Sequence, residues 1–284
     1  MHPSQFAVLP ALGLIGFGAF GRLMAEHLHP YFRLRCHDPR YSPGDRMAGD
    51  IGRFVGLAEA ARCPFVVLAV PVAALAEAVE GIAPHLSRGT LVLDVGSVKT
   101  LPARIMAKGL PDHVAIVGTH PLFGPQSARN GIAGLKVAVC PVRGHRGGGV
   151  YAFLRKRLGL EVIVTTPEAH DREAATVQGL THLIAKVLVQ MEPLPSRMTT
   201  RSFDLLMESI GMVRHDAPEV FDAIERLNPF VPEVRERFFR LAAALDSDMA
   251  YRDMAYRDMA SGELASGELA QERRGALETP SVAG

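Results

Sequence analysis

Gly16-Phe17-Gly18-Ala19-Phe20-Gly21 restricts what this chain can fold into more than any other segment. The run follows the apolar stretch Ala11–Ile15 and precedes Phe20–His29, which reads as a helix. In a strand–turn–helix unit each glycine has its own task. Gly16 permits a tight turn, Gly18 lets the backbone approach a pyrophosphate, and Gly21 lets helix and strand pack closely. The helix N-terminus adds unpaired N–H groups suited to phosphate oxygens. An acidic residue is expected at the end of the next strand, and Asp38 stands there, 17 positions beyond Gly21. A carboxylate at that place accepts hydrogen bonds from adenosine ribose hydroxyls and repels a 2′-phosphate, which favours NAD over NADP. Arg40 counts the other way, because a nearby arginine can receive that phosphate. The glycine hexapeptide, Asp38 and Arg40 are thus the expected cofactor-binding residues.

The rest of the first half repeats this alternation. Arg33–His37, Phe65–Ala69, Thr90–Asp94, Val114–Gly118, Lys136–Cys140 and Glu161–Val164 read as strands. Several are apolar on consecutive residues, as parallel strands covered on both faces are. Val72–Ala83, Lys99–Lys108 and Gly149–Leu158 read as the helices between them. The expected fold is α/β, a doubly wound, mostly parallel Rossmann-type sheet. After Thr166 the strand signals stop. Pro167 opens a long helical stretch to about Val189, Glu192–Pro195 breaks it, and Arg201–Met212, Pro218–Leu227 and Pro229–Leu245 follow as helices. The expected division is a nucleotide-binding domain over 1–166, an all-helical substrate and dimerisation domain over 167–247, and a flexible tail over 248–284. In that tail Met249–Asp253 recurs at Met254–Asp258 and Ser261–Ala265 at Ser266–Ala270, too few and too short for a solenoid.

Composition excludes several classes. A formal charge of +1 gives no field for collecting nucleic acid or coating an anionic membrane. Cys36, Cys63 and Cys140 form no CxxC pair, so neither a disulfide framework nor a metal site is expected and a reducing compartment fits. No apolar run reaches the roughly 20 residues of a membrane-spanning helix. The N-terminus carries no basic segment of a secretory signal, and a cytoplasmic address is expected.

Chemistry concentrates in two segments at carboxyl ends of predicted strands, where open α/β sheets bind ligands. One is Asp94-Val95-Gly96-Ser97-Val98-Lys99-Thr100; the other is Gly118-Thr119-His120-Pro121-Leu122-Phe123-Gly124-Pro125-Gln126-Ser127. A Ser97 hydroxyl and a His120 imidazole could converge there on a substrate carbon. Ala69-Val70-Pro71 ends another strand at the same edge. Val70 and Pro71 either contact the ribose or nicotinamide or simply stop the strand.

These two segments and the glycine run together resemble the prephenate/arogenate dehydrogenase family. The resemblance spans roughly residues 11–245, including Thr181-His182-Leu183, Asp216–Phe221 and Asn228-Pro229-Phe230. It implies NAD-dependent oxidative decarboxylation of a cyclohexadienyl acid, prephenate or arogenate, on the route to tyrosine, by a homodimer. In that reaction His120 accepts the ring hydroxyl proton, as an imidazole can near neutral pH. Ser97 shares the hydrogen bond and holds the hydroxyl or the imidazole. The resemblance places His182 in the substrate pocket; the alternative for a lone helix histidine is a satisfied interdomain residue. Lys99 serves the substrate or only the fold. A cation for the substrate carboxylates has no clean match: Arg214 is nearest, with Arg197 and Arg201 as alternatives. Gln126 stands six positions after His120, where relatives that prefer arogenate carry an acid that can pair with the amine. A neutral residue there favours prephenate.

Two competing readings share the cofactor site. A β-hydroxyacid dehydrogenase or imine reductase would place a lysine in the helical region, where Lys186 lies four residues beyond His182. A cofactor sensor would bind NAD without turnover, and the presence of both Ser97 and His120 argues against it.

Overall fold

The computed structural model describes residues 9–275. Eight strands form one sheet: β1 (Ala11–Ile15), β2 (Arg33–His37), β3 (Gly52–Phe54), β4 (Phe65–Leu68), β5 (Leu91–Asp94), β6 (Ala115–Pro121), β7 (Lys136–Arg143) and β8 (Glu161–Val164). Their spatial order is β3-β2-β1-β4-β5-β6-β7-β8. Every neighbouring pair is parallel except β6 and β7. The winding reverses between β1 and β4, and in open α/β sheets that crevice receives the ligand.

The helices between strands are α1 (Ala19–Leu28), α2 (Leu57–Ala61), α3 (Leu75–Ile82), α4 (Thr100–Gly109) and α5 (Gly147–Lys156). Side chains alternate across a strand, so β4 sends Val66 and Leu68 to one face and Val67 to the other. The first face, with Val92 and Ile116, packs under α2, α3 and α4 around Leu75, Val79, Ile82 and Met106. The second packs Leu12, Leu14 and Val67 under α1 with Ala25 and Leu28, and Val137 and Val139 under α5 with Val150. Burying each of these larger side chains stabilises the fold by about 1.5–3 kcal/mol before entropy is subtracted.

β3 and α2 are absent from the sequence reading. Three and five residues long, they are too short to establish a period. β6 and β7 each run three residues further than expected, because their antiparallel ladder carries on from Gly118↔Cys140 to Pro121↔Val137 and, past an irregularity, back to Ile116↔Arg143.

Beyond the sheet come α6 (Pro167–Ala174), α7 (Leu180–Gln190), α8 (Arg201–Val213) and α9 (Pro218–Asp222). Thr166 caps α6 by accepting from the Ala169 N–H, with Pro167 in the first turn. The long helix expected from Pro167 is not uniform: π-helical turns occupy Ala175–Gly179 and, after α9, Ala223–Leu227.

The chain divides after Val234 into two compact units. The sheet and α1–α9 belong to the first. The second belongs to α10 (Val231–Gly275), a helix that passes through both duplications where the sequence reading ends it near Leu245. MAYRD and SGELA contain no proline and are mostly good helix formers. A five-residue repeat advances about 140° beyond one full turn, so successive copies face different sides and build no stripe. No described helix is long and apolar enough to cross a membrane.

Candidate functional site

The glycine turn sits at the carboxyl end of β1, beside β4. Gly16 has φ 97°, and a Cβ there would lie 2.5 Å from the Ala69 carbonyl oxygen and 3.1 Å from a Val70 methyl. Only glycine fits, and Val70 is thereby fixed against the turn. A Cβ on Gly21 would come 2.4 Å from the Gly16 oxygen, the close helix–turn packing expected of it. A Cβ on Gly18 would meet nothing within 4 Å, and α1 begins at Ala19 without a side-chain cap. Open space over an uncapped helix N-terminus fits a dinucleotide pyrophosphate. Ala19 is exposed and Phe20 half-buried at this end. Pro71 is exposed, three residues past the end of β4 at Leu68, and precedes a 3₁₀ turn at Val72–Ala74.

Asp38 reaches back from β2 and accepts the Phe17 N–H at 2.8 Å. This corrects the reading of Phe17 as a cofactor contact. Its N–H is committed to Asp38, and its buried ring packs edge-on against Phe54 and Tyr41. Arg40 holds both oxygens of Asp38, with Nε at 2.8 Å and Nη2 at 2.7 Å. That side-chain pair, more than anything else, keeps the Asp38 carboxyl well below the usual carboxylate range. Asp38 is buried while the Arg40 side chain is 60% exposed. An exposed guanidinium can swing aside at little cost, giving a ribose the same acceptor oxygens.

Three strands from β1, His120 lies within β6 itself rather than in a following turn, opposite Ala138 of β7, and is buried. Its Nδ1 is 2.8 Å from His170 Nε2, and His170 Nδ1 is 2.8 Å from Asp171 Oδ1. Asp171 also accepts the Lys99 and Thr100 N–H groups at 2.7 and 2.8 Å, and thus caps α4 from α6. Desolvation opposes the Asp171 charge, but the bonds from His170, Thr100 and Lys99 outweigh it and hold the carboxyl low. An ionised Asp171 only accepts, so the proton between it and His170 belongs to His170 Nδ1. Where His120 Nδ1–H donates along this line to His170 Nε2, His120 Nε2 keeps its lone pair, turned to the Gln178 amide. Burial first, then His170 and Lys99, hold the His120 pKa well below the ordinary histidine value. The imidazole is therefore a neutral base. The Gln178 amide, in the first π-helical turn, stands 3.5 Å from His120 Nε2, and its Oε1 is buried with no partner among the described residues.

Ser97 follows β5, the strand beside β6, and is half-buried. The expectation that it holds the imidazole is corrected, since His170 takes His120 Nδ1. Lys99 is also corrected as a substrate contact. It is 1% exposed, with Nζ donating to Asp94 and, at 2.7 Å, to the Thr119 carbonyl. Burial lifts the Asp94 carboxyl against the pull of that ammonium. The lysine ties β5 to β6 beneath the site.

His182, in α7, is buried, with Nδ1 3.0 Å from the Gln178 carbonyl and Nε2 3.2 Å from Asp216 Oδ2. Asp216 also faces the loop after β6: a Cβ on Gly124 would be 3.8 Å from its Oδ1. Gln126 is exposed in that loop, which Ser127 fastens by accepting the Gly124 N–H. Arg214 is corrected as a free cation, because Glu192 holds it at 2.9 Å. Arg201 pairs with Glu208 on the surface, and Arg197 is exposed. Lys186 points over the Phe221 ring at 5.2 Å. Asn228, nearly fully buried, donates to the Asp171 carbonyl at 2.7 Å and anchors the Asn-Pro-Phe segment beneath the histidine pair. His170, Asp171 and Gln178 escape the sequence reading because nothing near them in sequence signals a partner 50 or more residues away.

Comparisons with known proteins point to one family. The family model for the prephenate dehydrogenase nucleotide-binding domain matches residues 52–143, which hold Ser97, His120 and Gln126. The chain is 30% identical over 185 residues to a probable arogenate/prephenate dehydrogenase of Methanocaldococcus jannaschii, covering 61% of this chain and 41% of that protein. It is 30% identical over 240 residues to arogenate dehydrogenase 2, chloroplastic, of Arabidopsis thaliana, covering 80% and 66%. It thus spans less than two thirds of each relative's length. The fold is shared with the crystal structure of A. aeolicus prephenate dehydrogenase in complex with hydroxyphenyl propionate and NAD+, at TM-score 0.67 and 20% identity, covering 96% of this chain and 100% of that one. These likenesses place the chain in the prephenate/arogenate dehydrogenase family.

Proposed function

We propose that this protein is an NAD-dependent dehydrogenase that oxidises and decarboxylates prephenate to 4-hydroxyphenylpyruvate, a step towards tyrosine. The carrying observation is the Asp171–His170–His120 chain, which leaves His120 Nε2 as a buried, unprotonated acceptor. The substrate hydroxyl takes the place now faced by the Gln178 amide and gives its proton to Nε2. Bound NAD supplies the hydride acceptor, and loss of CO₂ from the opposite ring carbon completes an aromatic ring. His170 and Asp171 fix the tautomer, and Ser97 orients the substrate hydroxyl. The Asp38 carboxylate directly after β2, placed beside the glycine turn where it would accept the ribose hydroxyls, supports NAD over NADP.

Gln126 supports prephenate. An uncharged amide gains little from an ammonium and can donate to a keto acid. Arogenate is the second reading, favoured by Asp216, whose carboxylate stands between His182 and the Gly124 turn and could receive the amine. Steady-state rates of NADH formation with the two substrates decide. Prephenate should give the higher kcat/KM, and Gln126→Glu should move the ratio about one to two powers of ten towards arogenate. A wild type that prefers arogenate, with the preference lost in Asp216→Asn, would establish the second reading.

A homodimer through the helical region belongs to the same proposal. Val187 of α7, Met191 at its C-terminal cap, and Leu205 and Met212 of α8 are large apolar residues left exposed in the single chain. Light scattering should show a dimer at micromolar concentration.

A further inference from the structure

Parallel strands in the middle of a sheet need cover on both faces. The connections that follow β3, β4 and β5 all carry their helices to one face of this sheet. On the other face α1 covers one flank and α5 the other. Between them a cavity of about 560 Å³ opens over the central strands, with Val67, Leu93 and Val137 lining its floor and Leu23 of α1 and Leu154 of α5 its walls. Only three of its lining side chains carry polar groups, His27, Thr119 and Arg146, and none is acidic. The Thr119 hydroxyl is already committed to the Asp94 carbonyl at 2.6 Å. Arg146, exposed where α5 begins, and His27, in the last turn of α1, have no side-chain partner among the described residues.

We propose that this cavity binds an amphiphilic anion: an apolar chain or ring system with one carboxylate-like head directed to Arg146 and His27. The volume is that of a ligand pocket, and a cavity with such walls favours an apolar occupant over water. Charge selects the head, since every ionisable group on the lining is basic. The site is separate from the catalytic one. Thr119 and Pro121 line it, while His120 between them faces the opposite side of the sheet, towards His170. Its occupant nevertheless rests on the back of the catalytic strand. It also meets Phe20 of the glycine run and Phe123 of the loop after β6, whose ring centres are 6.3 Å apart.

Isothermal titration with dodecanoate and with uncharged decanol tests this on the full chain. Dodecanoate should bind saturably, with one equivalent per chain. Arg146→Gln, at an exposed position, should weaken dodecanoate by about tenfold or more and leave decanol unchanged. Leu23→Trp and Leu154→Trp fill the cavity from opposite walls, and each should abolish binding of both probes. Melting curves identify any variant that fails to fold, and the other wall then decides. The proposal is overturned by an absence of saturable binding to wild type, or by binding that survives in a folded tryptophan variant. Displacement of dodecanoate by NAD would also overturn it, placing the probe in the cofactor groove. So would light scattering in which Leu154→Trp splits a wild-type dimer, because a second copy would then be the occupant.

Discussion

His120 Nδ1 and His170 Nε2 lie 2.8 Å apart inside the protein, and Asp171 at the far end fixes the direction of the hydrogen bond. The bond joins the sheet to the first helix beyond it. The same Asp171 caps α4 through the Lys99 and Thr100 N–H groups. Any movement of α6 therefore reaches the proton acceptor directly.

His120→Asn should leave NAD binding intact and lower kcat by about 10²–10⁴-fold, the usual worth of a general base. Burial and the neighbouring His170 and Lys99 depress the His120 pKa below its ordinary value of 6.5. The base thus stays unprotonated as pH falls through 6.5, and the acid limb of the wild-type kcat profile should lie well below that pH. The variant should lose this limb. An Asn variant with wild-type kcat and the same limb would remove His120 from the mechanism.

His170→Ala removes a group that lowers the His120 pKa and leaves Nδ1 without its acceptor. The acid limb should move upward, towards the ordinary histidine range, as kcat falls. A purely structural role would lower activity without moving the limb. The pH profile of kcat separates the two.

Lys99→Met strips Asp94 of its buried partner. Breaking such a pair from one side costs about 3–5 kcal/mol, because a buried charge is left uncompensated. Burial already raises the Asp94 carboxyl, so in the variant it should take up a proton more readily. The destabilisation should accordingly be smallest at low pH. Urea unfolding across pH measures this, and adding Asp94→Asn should recover part of the loss.

Asp38→Ala releases Arg40 from its ion pair and removes the acceptor for ribose hydroxyls. The ratio of kcat/KM for NAD over NADP should fall by about ten- to a hundredfold. A wild type already faster with NADP would show that Arg40, not Asp38, governs the choice.

Sequence by itself determined the nucleotide edge and where along the chain most strands lie. Glycine constraints are local: Gly16 and Gly21 are dictated by backbone contacts within the strand–turn–helix unit and its neighbour, and strand periodicity is local as well. Ser97 and His120 stood out because both lie two to three residues past the end of the β5–β6 parallel ladder at Asp94↔Gly118. Long-range partners were not. Asp171 carries no sign in its own helix that it will cap α4, and Lys99, two residues past Ser97, reads as serving either the substrate or the fold until β5 and β6 enclose it with Asp94. Arg214 likewise reads as available until Glu192 is folded against it. Which charges face a ligand and which are spent on the fold is decided by desolvation and pairing, and those exist only once distant segments have packed.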